Sequence, residues 1–566
     1  MTKRVKKRKR KKFKIVRIIV ALLILAGLGY GVLKGLELVT KKIITKEYYI
    51  ASNTNEVLTY SYNEETKAMD ELAKIVRGKK VISHDKIKTI DEVNYIEINE
   101  EDNSFFVKED NLTPDENKIV TETEKYVRTS VTVYKNEKDS KIASFIKKGN
   151  KLDILAYDYL NDDGYVNMYK IKNGDIEGWV YQKYLVDTEE AATTNYNENN
   201  VYDTHKDRRY GYELYGGKAS TLDYYPYERV VFENNPILKV AKSMYLNAGT
   251  ISGIDSYLEI AKSSGVNAMV VDIKDGALAY PVEIAKEYSK TAYDTAINDF
   301  SDYQNAIKKI KDAGIYAIGR IVVFNDSHYG KDHPEDCITS PVSYQTWPSA
   351  YSRGAWEYNV ELAKAAIKDM GFNEIQFDYV RFPETAYQMS QNSNTNFKNT
   401  YNEEKAEAIQ NFLFYALDQI HKEGAYLSVD VFGECSSEYV TSYGQYWPAI
   451  SNIVDAISSM PYTDHFGRNI DTWSNPYRTV YNWAVGAAKR QTEIPTPSIA
   501  RTWITAYDTP YWSPTVIYDA SKISDQAQAL VDAGLDGGFI TWHSGSNIYK
   551  YRQIASAFSK DYQKNG

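Results

Sequence analysis

"EIQFDYVRFPE", Glu374 to Glu384, decides how the second half of the chain folds. Its first half reads as a buried β-strand, yet the apolar run finishes on a carboxylate, Asp378, with Arg381 and Pro383 close behind. A buried charge is costly unless it is paired or used. The segment therefore reads as a core strand whose end is a working surface, with the proline stopping it.

Working outward, the same pattern recurs. Apolar runs of strand length lie at residues 238–247, 266–275, 315–326, 373–382, 425–434, 454–462, 495–503 and 535–543. Between them stand helical stretches such as "RGAWEYNVELAKAAIKDMG" and "EEKAEAIQNFLFYALDQIHKEG", several closing on glycine before the next strand. Eight strand–helix units in this order predict an α/β domain, a (β/α)8 TIM barrel over residues 237–566. A doubly wound sheet would want a glycine-rich phosphate loop after its first strand, and none is there.

In that fold the strand C-termini carry the site. Here they bear Asn247; Asp272, Lys274 and Asp275; Arg320, Asn325 and Asp326; Asp378 and Arg381; Asp430 and Glu434; Tyr462 and Asp464; Arg501 and Trp503; Trp542 and His543. The strand N-termini show no such enrichment. Period-two alternation puts Gln376 with Asp378, Asp272 with Lys274, Ser428 with Asp430, and Thr541 with His543, and sets Arg320 opposite Gly319 and Ile321.

Paired carboxyls beside aromatic rings suit glycosidic bond cleavage, in which one acid protonates the leaving oxygen and the other acts as nucleophile or activates water. Asp378 is expected as nucleophile or base and Glu434 as acid, with Asp430 the rival for the second role and Asp272 a hydrogen-bonding support. Arg320 and Arg381 would keep neighbouring carboxylates ionised. Tyr379, Tyr462, Trp347, Trp503 and Trp542 are expected sugar platforms, and Lys274 and His543 further substrate contacts. An Asp378–Arg381 ion pair that merely closes the barrel top is the structural alternative.

Composition narrows the rest. The 566 residues allow two to four domains. Net charge is −8, but residues 1–14 hold ten Lys/Arg and no acid, which leaves −18 on the remainder and argues against nucleic acid as a partner. Two cysteines, Cys337 and Cys435, exclude a disulfide framework, and seven histidines without an HExxH motif give no transition-metal site, so no metal or cofactor is expected. The 50 tyrosines suit sugar binding, and codon bias alone also supplies such a count.

After the basic tail, residues 15–36 read as a transmembrane signal anchor, uncharged from Ile18 to Leu33. The positive-inside rule then predicts a cytoplasmic N-terminus, a single pass through the cell membrane, and an extracellular remainder. Residues 41–236 look β-rich, with one helical pattern at Glu64–Val76. "INEEDNSFFVKEDNL" (98–112) aligns without gaps on "IKNGDIEGWVYQKYL" (171–185), an offset of 73, which suggests two copies of one small unit. The second copy, 122–187, resembles bacterial SH3-like domains; the first, within 41–120, is a degenerate copy or a stalk, and 188–236 reads as a linker.

"VVDIKD", "RIVVFND", "SRGAWEYNVELAKAA" and "EIQFDYVRFPE" together resemble a bacterial family of glycoside hydrolases, a TIM-barrel domain distantly related to the alpha-amylase-like clan, over Leu238 to Tyr551. The resemblance implies that Asp378 is the nucleophile and Glu434 the acid. That clan places an arginine two residues before the nucleophile, and here the position is Gln376. The expected function is a membrane-anchored hydrolase of a cell-wall, peptidoglycan-like or extracellular polysaccharide. A glycan-binding barrel without catalysis is the alternative, and an amidase or deacetylase would need a metal site.

Overall fold

Eight strands in the second half of the chain pair side by side in one parallel sheet: β1 (Ala241–Leu246), β2 (Ala268–Asp275), β3 (Tyr316–Val322), β4 (Glu374–Asp378), β5 (Tyr426–Phe432), β6 (Ala456–Met460), β7 (Thr502–Thr505) and β8 (Gly538–Trp542). β8 pairs with both β1 and β7, while Ile499–Ala500, just ahead of β7, pairs with β6. The seventh strand is thus split at Arg501, and the nine pieces form a nearly closed barrel. Each strand is followed by a principal helix: α1 (Ile254–Ser264), α2 (Phe300–Asp312), α3 (Arg353–Met370), α4 (Lys405–Lys422), α5 (Trp447–Ser451), α6 (Pro476–Gln491), α7 (Ala520–Ala533) and α8 (Ile548–Phe558). This computed structural model describes residues 45–100, 103–196, 208–209, 212–213, 215–467, 469–509 and 515–564. The expected basic tail and membrane span, residues 1–36, lie outside them. Among the described residues no helix is long and apolar enough to cross a membrane.

Strand alternation explains the barrel's layers. On β4, Ile375 and Phe377 face the helices, where Phe377 stacks on Phe412 of α4. Glu374, Gln376 and Asp378 face the interior and form three polar storeys. At the bottom Arg501 donates to both oxygens of Glu374 at 2.7 and 2.6 Å. In the middle Gln376 donates to Ser458 at 3.1 Å. At the top stands Asp378. Such buried groups persist because each has a partner. Arg501, expected near the active face, is instead the ion that closes the opposite end.

One irregularity matters for the site. The β2–β3 register slips between Asp272, which pairs Arg320, and Lys274, which pairs Ile321. This bulge breaks the alternation expected for Asp272 and Lys274.

The chain divides into two compact units, one of residues up to 125 with 151–183, the other of 126–150 and 184–566. The first opens with antiparallel strands from Lys46 to Thr113. The helical pattern at Glu64–Val76 is overridden there: Ala68–Val76 is a strand paired with Glu56–Asn63 around a turn whose Lys67 has φ +58°. The residues matched at offset 73 share one local structure. Asn103–Lys108, a 3-10 turn and Leu112–Thr113 recur as Ile176–Tyr181, a 3-10 turn and Leu185–Val186. Their hairpins correspond too: Glu56–Asn63 pairs Ala68–Val76 as Val131–Tyr134 pairs Ile142–Ile146. Within the second unit, Ala219, Leu222 and Tyr224 pack with Ala406, Tyr446 and Ala449, so part of the segment read as a linker lies on the barrel. Cys337 and Cys435 are buried free thiols.

Candidate active site

At the C-terminal end of the strands Arg320, buried at the tip of β3, gathers four carboxyl groups. Its Nη2 and Nε donate to Asp378 at 2.7 and 3.1 Å. Its Nη1 donates to Asp272 at 2.7 Å and to Asp275 at 3.2 Å. Asp430 Oδ2 lies 3.9 Å from Nε. Burial opposes the arginine's charge, but Asp272 and Asp378 outweigh it and hold the guanidinium firmly protonated.

The acids differ in environment. Burial pushes Asp272 up to about 6, Arg320 pulling it back and Asp275 adding to the rise. Its carboxylate also accepts the Tyr245 hydroxyl. Asp430 has no exposed surface. Burial first, and the charge of Asp378 next, lift it well above the usual carboxylate range. Its Oδ1 accepts the Trp503 indole N–H at 2.7 Å, whereas the buried Oδ2 makes no hydrogen bond. The same burial and the neighbouring Asp378 charge favour the uncharged form of this acid.

β4 ends at Asp378, earlier than its sequence implies. Tyr379 takes φ +53°, a left-handed value costly for a bulky residue, and its N–H turns back onto Asp378 Oδ1 at 2.6 Å. The turn, and not Pro383, stops the strand and fixes the carboxylate.

Above this floor opens a cleft of about 290 Å³. Asp275, Arg320, Asp378, Arg381 and Glu384 form its polar side; Phe432, Tyr462, Trp503 and Trp542, with Tyr379, Met460, His465 and Tyr507, complete the lining. Trp542 packs at 5.6 Å on Trp503 and 4.5 Å on Tyr245, giving a fixed aromatic wall. The site is therefore two-sided, with carboxyls from β2 and β4 facing rings from β6 to β8.

The expected residues divide accordingly. Asp378, Arg320, Arg381, Tyr379, Tyr462, Trp503 and Trp542 line the cleft; Asp272 and Asp430 lie beneath it. Arg381 does not hold Asp378: it donates to Glu384 at 3.2 Å and lies against Phe432. Glu434 is outside the lining, in a 3-10 turn beyond β5, with its oxygens accepting Tyr439 at 2.7 Å and Tyr443 at 3.0 Å. Lys274, turned away by the bulge, donates to Asp326 at 2.5 Å and to Asn359 of α3 at 2.7 Å. His543 and Trp347 are also outside the lining. The candidates missed by spacing are Glu384, His465 and Tyr507, which sit on loops where no periodicity signals direction. His333, Glu335 and Asp336 bring ligand atoms within 4.8 Å of one another, the cluster of metal-ligand type among the described residues, but none of them lines the cleft.

Residues 243–549, more than half of the chain, match the profile of a family described as "Putative glycosyl hydrolase domain". No curated protein matches. Among solved structures, a hypothetical protein from Ruminiclostridium thermocellum is 32% identical over 33% of this chain and 97% of its own, with a TM-score of 0.28. The PgaB (BpsB) glycoside hydrolase domain from Bordetella bronchiseptica is 11% identical over 57% of this chain and 99% of its own, TM-score 0.43. A GH18 chitinase from Pseudoalteromonas aurantia is 12% identical over 56% of this chain and 100% of its own, TM-score 0.34.

Proposed function

The chain belongs to this glycosyl hydrolase family, and from that premise we propose that its barrel hydrolyses O-glycosidic bonds of a cell-wall or extracellular polysaccharide, with Asp378 as the carboxylate acting at the anomeric carbon. The observation that carries the reading is the place of Asp378, the innermost carboxylate of the cleft, oriented by two bonds from Arg320 and one from its own turn, facing a wall of indole and phenol rings.

The physical fit is to an oxocarbenium-like transition state. One arginine serves Asp272, Asp275 and Asp378, so the floor keeps net negative charge even with Asp430 neutral. Negative charge fixed in place before the reaction stabilises the positive charge that develops on the sugar ring. Trp542 and Tyr462, near-parallel at 6.3 Å, give the cleft an apolar aromatic lining suited to the C–H face of a sugar. Asp430 is a positioning residue: it holds the Trp503 indole and, uncharged, leaves the guanidinium to the other acids. Glu434, with both oxygens engaged by tyrosines, braces the loop after β5.

The basic tail and the apolar run at 15–36 support a single-pass anchor with the barrel outside the cell, within reach of such a polymer. The β-rich region 41–187, SH3-like in its second copy, then serves as a spacer or weak wall contact. Incubation of the purified protein with wall polysaccharides, scored for new reducing ends, tests the activity; binding without any release would point to the glycan-binding alternative.

A further inference from the structure

Hydrolysis needs a second carboxyl that touches the glycosidic oxygen, yet Glu434 lies outside the cleft and Asp430 is sealed beneath it. We infer that Asp275, at the tip of β2, is the catalytic proton donor that works opposite Asp378. This deepens the reading of the cleft as a glycosidase centre and rests on it.

Three carboxyl groups line the cleft: Asp275, Asp378 and Glu384. Glu384 is 71% exposed and rides on the loop after β4, paired with Arg381. Asp275 ends a strand, where a side chain is held more tightly than on a loop. It is 49% exposed, so a substrate oxygen can reach it. It occupies Nη1 of Arg320 while Asp378 occupies Nη2, so a single guanidinium spaces the two acids. Its 3.2 Å contact is longer than the 2.7 Å contacts of Asp272 and Asp378, so its side chain is the least tightly held of the three by the guanidinium.

The bulge in β2 is what brings it there. Regular alternation from Asp272 would send Asp275 to the helix side. The slip after Asp272 turns Lys274 outward onto Asp326 and swings Asp275 inward beside Asp272. Gly319 on β3 makes room: a Cβ there would lie 2.4 Å from Ile273 Cδ1. Asp272 and Asp275 then share one nitrogen of Arg320.

The step balances. The Asp275 O–H bond breaks and its proton goes to the glycosidic oxygen. The C1–O bond breaks, its electron pair stays on that oxygen, and the leaving sugar departs as an alcohol. Asp275 remains as a carboxylate. If Asp378 has attacked C1, Asp275 takes a proton from the water that releases the sugar. If Asp378 instead activates that water, Asp275 regains its proton from solvent.

The test is leaving-group dependence, which a structural role would not produce. The full chain is assayed on phenyl and 2,4-dinitrophenyl α- and β-glycosides of glucose and N-acetylglucosamine. Asp275→Asn should lower kcat/KM by roughly a hundredfold or more for the phenyl leaving group, which needs protonation, and by less than about tenfold for dinitrophenolate, which does not. Both rates come from one preparation, so their ratio is independent of any loss of folded protein. Glu384→Gln should lower the two rates alike. Equal losses from Asp275→Asn, or a selective phenyl loss from Glu384→Gln, overturn the assignment while leaving the enzyme a glycosidase. A wild-type chain inert on every substrate overturns the assignment and the reading of the cleft together.

Discussion

Ile273 occupies the space above Gly319: a Cβ on that glycine would lie 2.4 Å from Ile273 Cδ1 and 3.1 Å from the Phe372 ring. A bulged residue on β2 and a missing side chain on β3 thus fit together, and the direction of Asp275 depends on both. Gly319→Ala should overpack this contact and cost about 1–3 kcal/mol in denaturant unfolding, with a fall in activity that exceeds the loss of folded protein. A variant as stable and active as the parent would mean that the bulge does not set the site.

Arg320 is the sole cation bonded to Asp378 among the described residues, and it also holds Asp272. Arg320→Met should leave buried carboxylates without their counter-ion. The expected cost is about 3–5 kcal/mol of stability, the usual result of removing one partner from a buried ion pair. Thermal unfolding at neutral pH measures it, and a variant within about 0.5 kcal/mol of the parent would contradict the geometry described.

Asp430 gives a pH signature. Its folded pKa lies above the unfolded value of about 3.9, so its contribution to stability is fully present below that pH and is lost as pH rises through the folded value. Asp430→Asn cannot ionise and escapes this loss. The stability of the variant relative to the parent should therefore climb as pH rises above the unfolded value of about 3.9, by up to about 1.4 kcal/mol per pH unit until the folded group has ionised. Asp272, pushed up to about 6, adds the same trend to both proteins and cancels in the comparison. Parallel melting profiles would exclude a buried, titrating Asp430.

Glu434 separates the sequence reading from the structure. With its oxygens on Tyr439 and Tyr443 and its side chain off the cleft, Glu434→Gln should keep kcat/KM within about threefold and lower stability by about 1 kcal/mol. A loss of a hundredfold or more would restore it as the proton donor.

The barrel was legible because periodicity reports burial. Every strand expected from an apolar run holds an observed strand, and "EIQFD" is buried throughout, as its place in the core requires. Alternation correctly joined Gln376 to Asp378 and set Arg320 inward, because β3 and β4 are regular. It failed at Lys274, where one bulged residue reverses every later side chain; Glu434, expected as the acid, lies where β5 has given way to a 3-10 turn and alternation no longer applies. Arg381 misled for a related reason. Proximity in sequence suggested a pair with Asp378, but the left-handed Tyr379 turns the chain between them and hands Asp378 to Arg320 from the neighbouring strand. At Glu64–Val76 a helical pattern yielded to hairpin pairing, a tertiary choice that local spacing does not encode. Loop residues such as His465 and Tyr507 carry no period and emerge only when β6 and β7 are brought side by side.

The central claim is that Asp378 performs the chemistry. Asp378→Asn keeps the size of the side chain and removes its charge. Reducing-end release from a polysaccharide that the wild-type protein cleaves should fall by about a thousandfold or more, while the variant still binds the polymer. Release at the wild-type rate by a folded Asp378→Asn protein would contradict the account.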